Sequence, residues 1–479
     1  MAARVIVIGA GPAGVRAAQA LVEAGLRPLV IDEGRRDGGQ IYRRQPDGFR
    51  RTYAALYGTE AARAQHLHNC FDALRAHIDY LPETLVWNIR GGVVHLTNAQ
   101  GASSLAFDAL LVCTGATDRL MPVPGWQYAG TYSLGGAQVA LKSQGCVIGS
   151  QTVMLGTGPL LYLLAAQYVK AGVKPAAVLD TSPAHARFRA LPQLLAKPAV
   201  LLKGAALLHT LRTAGVPIHR GVTPIRIDGD DELGVRGVHV KLADDSALAV
   251  PADAVAMGFH LRPETQIADL AGCAFTFDDA AAQWLPAIDE NGRSSVPGIY
   301  LAGDGARVRG ADAAECAGRL AALAALRELG IPPRHDDSHR LRARLARLSR
   351  FASGLRTAFP WPAHHARQLP DTAVVCRCEG ITAGELRRVC TEQGAMEANR
   401  AKAFSRVGMG RCQGRFCAHA GTEVMAAALG VPLAAVGRLR GQAPVKPLAV
   451  ALDAAAQAKD TEATRDAAAS ATPYGTELV

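Results

Sequence analysis

Aromatic residues are scarce, 5% of the 479-residue chain, whereas glycine is frequent at 49 residues, above the roughly 7% that proteins average. That balance directs attention to sites made by backbone, phosphate loops first. The ten cysteines are irregularly spaced, which argues against a secreted disulfide framework, and four of them crowd near the carboxyl end. The amino terminus, MAARVIVIGAGPAG, has no apolar targeting core or cleavage site, and the uncharged stretch Val153 to Val169 is broken by glycine and proline. The expectation is a soluble, cytoplasmic chain, with a peripheral place at the inner face of the membrane left open. Neither sign of charge dominates: 52 Lys and Arg against 42 Asp and Glu give +10, and 49% hydrophobic with 20% charged residues is a globular balance. At ~100 to 200 residues per domain, the length predicts about three domains.

Val5 to Ile8 is an apolar run of strand length, followed by GAGPAG and then by Val15, Ala18, Leu21 and Val22 at helical spacing. In such a turn Gly9 allows the tight bend, Gly11 lets backbone approach a pyrophosphate, and Gly14 lets helix and strand close up. Pro12 and Ala13 open the helix, whose free N-H groups and positive dipole end suit phosphate. A second strand, Leu29 to Ile31, ends at Asp32, 18 residues past Gly14 and near the ~20-residue offset of a ribose-binding acid; Glu33 is the fallback.

Two later segments, LLVCTG (Leu110 to Gly115) and GIYLAGD (Gly298 to Asp304), read as strands ending in Thr-Gly and Gly-Asp. With GAGPAG they resemble the three separated FAD motifs of the glutathione reductase and thioredoxin reductase superfamily, and Gly38, Gly39 and Gln40 resemble the GGQ of its thioredoxin reductase branch. The resemblance implies an α/β fold of two nested Rossmann-like domains and a discontinuous FAD domain, 1–125 and 250–331. It places FAD against Gly39, Gln40, Val86, Thr114, Gly115, Gly303, Asp304 and Ala311 as well as the amino-terminal loop. Asp304 would hold the ribityl chain, and the helix from about Gly310 would aim its positive end at the flavin pyrimidine edge.

Between these pieces, residues 126–249 carry Val153 to Leu155, GTGPLL, a helix-like run to Lys170 and a strand ending at Asp180. This predicts a second nucleotide domain inserted in the first. Leu161 stands where the third glycine should be, so NAD(H) binding and a retained scaffold both stay open; if a nucleotide binds, Asp180 disfavours a 2′-phosphate. Neither this domain nor GGQIYRR contains CxxC or CxxxxC. Cys70, Cys113, Cys146, Cys273 and Cys316 are isolated and read as small buried hydrophobes, which argues against disulfide reductase chemistry.

Cys376 and Cys378 form CRC, and Cys412 and Cys417 form CQGRFC. Two cysteine pairs on separate loops supply the four thiolates of a 2Fe-2S cluster. Zinc and a redox disulfide at Cys412 and Cys417 are the competing readings, although zinc signatures favour CxxC pairs. VVCRCEGIT and SRVGMGRCQGRFC resemble the bacterioferritin-associated ferredoxin type of 2Fe-2S module, here residues 371–432, small and helical. Arg411 and Arg415 would offset the cluster charge, and Gly408 and Gly410 would turn N-H groups toward sulfur. Cys390 reads as core and His419 as a solvent-facing helix residue.

Residues 332–370 concentrate arginine, with Leu341, Leu345, Leu348 and Leu355 at helical spacing, and predict an amphipathic helix bridging the flavoprotein body and the cluster module. Only Trp361, Phe351 and Phe359 lie near, so no nucleic-acid partner is expected. His364 and His365 have no companion ligand cluster and are assigned no metal. Residues 433–479 read as a partner-binding arm and, beyond Asp453, a disordered tail.

Over residues 1 to 450 the whole order resembles the larger FAD-binding subunit of bacterial opine oxidases, an architecture shared with hydrogen cyanide synthase and D-hydroxyproline dehydrogenase complexes. It implies an oxidoreductase subunit with FAD and a 2Fe-2S cluster that receives electrons from a flavoprotein of the D-amino-acid oxidase or glycine oxidase type. Left open are a quinone or respiratory-chain acceptor, an FMN at a subunit boundary and a small additional subunit. No acid-base or nucleophile constellation is visible, so no catalytic residue is assigned. The alternative is a self-contained NADH-dependent reductase of a ferredoxin-like acceptor.

Overall fold

The computed structural model describes residues 3–48 and 51–448. Five strands form a wholly parallel sheet in the order Ile299–Leu301, Ala109–Val112, Val5–Ile8, Leu29–Ile31, Asp79–Leu81. The first three are continuous apolar runs because both faces of the sheet are covered. One face takes the helices Pro12–Glu23 and Ala311–Glu328, which touch closely because Gly318 has no Cβ to strike the Ala13 carbonyl. The other face receives Val86, Ile89, Val94 and Leu96 from the antiparallel strands Leu85–Arg90 and Val93–Asn98.

A second parallel sheet runs Ile218–Arg220, Ala177–Asp180, Thr152–Thr157, Ala254–Phe259, Thr131–Ser133. The boundary expected at 249/250 is therefore misplaced. Ala254–Phe259 is buried at every position and would suit either sheet by composition, but its register with Thr152–Thr157 assigns it to the inserted domain. The chain crosses between domains through the antiparallel pair Ala116–Asp118 and Leu261–Pro263.

The arginine-rich helix forms over Ser338–Ala358, but it does not bridge to the cluster module. Its Leu341, Leu345 and Leu348 stripe belongs to the core of the first domain, and its far end, Phe351 and Ala358, packs on Ala190 and Leu194 of the inserted domain. The carboxyl-terminal module starts earlier than residue 371, since helix Ala363–Gln368 already packs on helix Ala418–Leu429. Helix Ala383–Thr391 is opened by a reciprocal cap in which Thr382 and Glu385 bond each other's backbone N-H. The module shares one core with the inserted domain, pinned where Trp126 Nε1 donates to Val374 O at 2.6 Å.

The arm also differs from expectation over its described part. Arg438 grips Asp269 with two 2.7 Å bonds and lies 3.7 Å over the Phe275 ring, Val445 N donates to Trp87 O at 3.1 Å, and Lys446 pairs with Glu33. Residues 437–448 thus bind their own chain's first domain. The arm beyond residue 448 and the tail expected past Asp453 lie outside the described residues. Among the described residues, no helix is long and apolar enough to cross a membrane.

Candidate functional site: a flavin cavity and a cluster loop

A cavity of about 2120 Å³ opens between the two sheets. Gly9, Gly11, Pro12 and Ala13 line it from the amino-terminal loop, Asp32 and Glu33 from the second strand end, and Gly39 and Gln40 from the GGQ segment. Val86, Thr114, Gly115, Asp304 and Ala311 complete the wall. Gly14 and Gly303 lie behind it, where a Cβ on Gly14 would overlap the Gly9 carbonyl and one on Gly303 would stand 2.8 Å from Ala13 Cβ. A Cβ on Gly9, held at φ +102°, would overlap Cys113 O. This bare-backbone cradle at the start of a helix fits an extended phosphate-bearing cofactor.

The two acids at the strand end behave differently. Asp32 accepts from Ala10 N at 2.5 Å and Gly34 N at 2.6 Å, so it braces the glycine loop, and burial pushes its carboxyl up. Glu33 is exposed and held by Lys446. Asp304 accepts from Arg309 N at 2.8 Å and Gly310 N at 3.0 Å, which fixes the turn entering helix Ala311–Glu328; burial pushes its carboxyl up too.

Thr157, Gly158, Pro159 and Leu160 of the second glycine loop line the same cavity. Leu161 is completely buried among Leu134, Met154 and Tyr162. Asp180 does not reach the cavity. It is fully buried, accepts from Tyr162 Oη and from Ser182 N at 2.8 Å, and pairs with Arg187. The acid expected to choose between nucleotides is spent on the protein itself.

No disulfide joins any of the ten cysteines. Cys113, Cys273, Cys316 and Cys390 are buried, as expected of isolated cysteines, and burial pushes the Cys113 thiol up to about 12. Cys70 is half-buried and Cys146 is exposed, so reading all five isolated cysteines as buried is too broad. Cys146 follows the end of a helix at a left-handed Gly145.

The four carboxyl-terminal cysteines come together. Cys376 ends a strand and Cys417 opens a helix, both buried, while Cys378 is exposed and Cys412 half-buried. Their thiols touch in a row, Cys376 to Cys417 to Cys412 to Cys378. No set of three or more such side chains among the described residues closes into a single-ion cage. Four thiols gathered from two separate loops are the ligand set that a 2Fe-2S cluster takes. The Cys417 thiol and the N-H groups of Gly408, Glu379 and Cys378 bring Cys376 down to about 6 despite its burial, and Cys417 with the N-H groups of Phe416 and Gly414 brings Cys412 to about 5. Gly408 thus aims N-H at sulfur as expected, whereas Gly410 serves closeness: a Cβ there would overlap Cys378 Cβ.

Two expectations around the cluster are corrected. Arg415 turns its side chain from the thiols to Glu264, with Nε to Oε2 at 2.8 Å, and to the Val445 carbonyl at 2.7 Å. His419 is half-buried rather than solvent-facing, and burial, then Arg119 and Arg262, hold its ring far below the usual histidine range.

Sequence reasoning missed the residues that join the two sites. Glu264 N donates to Gly115 O at 3.0 Å, and its carbonyl accepts from Thr114 Oγ1 at 2.7 Å. Its carboxylate faces Arg415 and, at 3.6 Å, Arg262, whose Nε donates to Arg415 O at 2.9 Å. The two arginines hold Glu264 below the usual carboxylate range in spite of its burial. Gln266 also donates to the Gln413 carbonyl at 2.5 Å. Trp361 lines the cavity, lies 3.8 Å under the Arg119 guanidinium and donates to Glu423 of the helix that follows Cys417 at 2.9 Å. HLRPET and FPWP carry no motif that marks these contacts, which form only when distant loops meet.

The pattern of the pyridine nucleotide-disulphide oxidoreductases matches residues 3–320, and that of the BFD-like 2Fe-2S binding domain matches residues 374–427. The chain is 39% identical over 469 residues to the A-type subunit of opine oxidase from Rhizobium meliloti, covering 93% of this chain and 86% of that one. It is 33% identical over 459 residues to the HcnB subunit of hydrogen cyanide synthase from Pseudomonas aeruginosa, covering 93% and 97%. The structure is similar in fold to L-proline dehydrogenase from P. horikoshii, with a TM-score of 0.65 at 18% identity over 94% of this chain and 78% of that one.

Proposed function

Because the chain belongs to the pyridine nucleotide-disulphide oxidoreductase family, among the A-type subunits of opine oxidase and the HcnB subunits of hydrogen cyanide synthase, we propose that it is the electron-transfer subunit of a hetero-oligomeric amino-acid or opine dehydrogenase. The chain is an oxidoreductase subunit with a flavin-binding body and a 2Fe-2S module. In this reading the flavin is FAD, and a partner of the D-amino-acid oxidase or glycine oxidase type oxidises a secondary amine or amino acid. The electrons leave for a quinone or respiratory acceptor, and an interface FMN and a small third subunit belong to the same reading. When bound, the flavin exchanges electron pairs and the cluster single electrons.

The observation that carries the reading is Glu264, one residue fastened by its backbone to the flavin loop at Thr114 and Gly115 and by its carboxylate to the cluster loop at Arg415. The chain's own residues bind and position: Gly9 to Gly14 and Asp304 shape the cofactor cradle, and Glu264 with Arg262 keeps the cluster loop against it. The cavity wall offers no thiol for disulfide chemistry, since Cys113 is its only cysteine among the described residues and is held protonated by burial. The alternative NADH-dependent reductase has the second glycine loop in its favour, because that loop opens on the same cavity. Against it stand Leu161 and the engaged Asp180.

Purification under anaerobic conditions with and without a coexpressed amine-oxidising flavoprotein tests the reading. Dye-linked dehydrogenase activity is expected only in the pair, with flavin bands that ignore NADH in the chain alone. Fast bleaching of the flavin by NADH in the isolated chain would instead establish the reductase.

A further inference from the structure

Helix Leu134–Val139 ends in a widened π-type turn, Ala140–Gln144, before Gly145 reverses the chain at φ +69°. Such turns re-aim side chains out of helical register and recur at binding sites. Here the turn drives Lys142 into the protein, where only 4% of its surface stays exposed, on the wall of the main cavity. Its Nζ donates to the Ile41 carbonyl at 3.1 Å and stands 5.9 Å from the Tyr57 ring centroid. No carboxylate among the described residues pairs with it. The other lysines on the wall are exposed or answered by Asp312, Glu60 or Glu33.

Two further donors on the same wall lack acceptors. Ser143 Oγ and Arg43 Nε are buried with no hydrogen-bond partner, while the Arg43 fork is tied at one end to Gln40. Burial and the neighbouring Arg43 charge lower the Lys142 ammonium to about 8, and no acid opposes them. An ammonium removed from water without a counter-charge is unfavourable unless a ligand supplies the anion.

We propose that Lys142, Ser143 and Arg43 form a subsite for the carboxylate of a small ligand with an apolar body, entering the cavity beside the Gln40–Ile41 segment. Two carboxylate oxygens can take one ammonium, one hydroxyl and one guanidinium N-H. Leu56, Tyr57 and Leu141, which also line the cavity, suit an uncharged remainder rather than a tetrahedral dianion. The site is independent of which redox partner the chain serves.

Calorimetric titration of the flavin-loaded full chain with hexanoate, hexanol and inorganic phosphate tests the subsite, with the visible difference spectrum of the bound flavin as a second readout. Saturable hexanoate binding is expected, weakened by roughly 10- to 100-fold in Lys142→Met, as for loss of a charged hydrogen bond. Lys142→Arg, which keeps the charge, should stay within a few-fold of the native chain, and Ser143→Ala should weaken binding less than Lys142→Met. Hexanol binding as well as hexanoate, phosphate binding as tightly, or Lys142→Met binding unchanged would each overturn the proposal. So would a wild-type chain that ignores hexanoate while Lys142→Met loses its flavin, since the ammonium would then answer the cofactor.

Discussion

Arg415 Nε donates to Glu264 Oε2 over 2.8 Å, with only 11% and 16% of the two side chains exposed. The pair ties the loop holding Cys412 and Cys417 to the loop holding Thr114 and Gly115. Glu264 also answers Arg262, so one carboxylate balances two buried guanidinium groups. Removing one partner of a buried charge pair strands the other, at about 3 kcal/mol or more. Glu264→Gln is therefore expected to lower stability by about that amount and to speed cluster loss on mild heating. Parallel melts followed by circular dichroism and by the visible cluster bands measure both, and unchanged cluster retention would mean that the pair does not hold the loop.

The cluster cysteines separate cleanly from their neighbour. Ser at Cys376, Cys378, Cys412 or Cys417 should abolish stoichiometric iron and sulfide, because each thiol belongs to the contacting row. Cys390→Ser should keep both, with a modest stability loss, since that thiol is buried apart from them in the module core. Iron and acid-labile sulfide analysis decides; metal retained in full by any of the four would remove that residue from the ligand set.

Restoring the missing glycine of the inserted domain should not restore nicotinamide use. Leu161 is buried in the core, so Leu161→Gly opens a cavity and is expected to cost at least ~2–5 kcal/mol, the range for comparable truncations to alanine. Asp180 stays bound to Tyr162, Ser182 and Arg187 in that variant. Anaerobic NADH addition is expected to leave its flavin oxidised; rapid bleaching would show that leucine alone had closed a working site.

Local signals revealed the parts that are local. The glycine loop and the two cysteine pairs are contiguous, and their spacing dictates backbone geometry, so Gly9 to Gly14 and the four thiols could be read directly. The domain boundary was not legible, because Ala254–Phe259 is an apolar run that suits either sheet until its partner strand is known. Asp180 looked like a ligand acid because strand-end position says nothing of Arg187 seven residues on, and Glu264 was silent because all its meaning lies in Thr114 and Arg415, about 150 residues away on either side. The arm past Val436 likewise looked partner-bound, since the Arg438–Asp269 fork cannot be seen along the chain.

Protonation of the buried histidines should cost this protein stability before its ordinary carboxylates titrate. Burial lowers His260 and His365 from 6.5 to about 4. Above 6.5 both are neutral in folded and unfolded chains, and their full contribution is present. As pH falls from 6.5 toward 4 the unfolded chain takes protons that the folded one refuses, and up to about 3 kcal/mol per ring is lost. Asp37 acts oppositely: burial raises it from 3.8 to about 6, so stability is gained as pH falls through that interval. Asp32 and Asp304, buried as well, act as Asp37 does and His419 acts with the two rings, so the quantity to read is the change that one ring makes. Across urea midpoints at steps from pH 7 to 4.5, His260→Gln, which can still donate to the Phe359 carbonyl, should differ from the native chain by losing about one proton's worth of acid destabilisation. A variant with the native slope would show that His260 is protonated without cost and that the ring is not sealed from water.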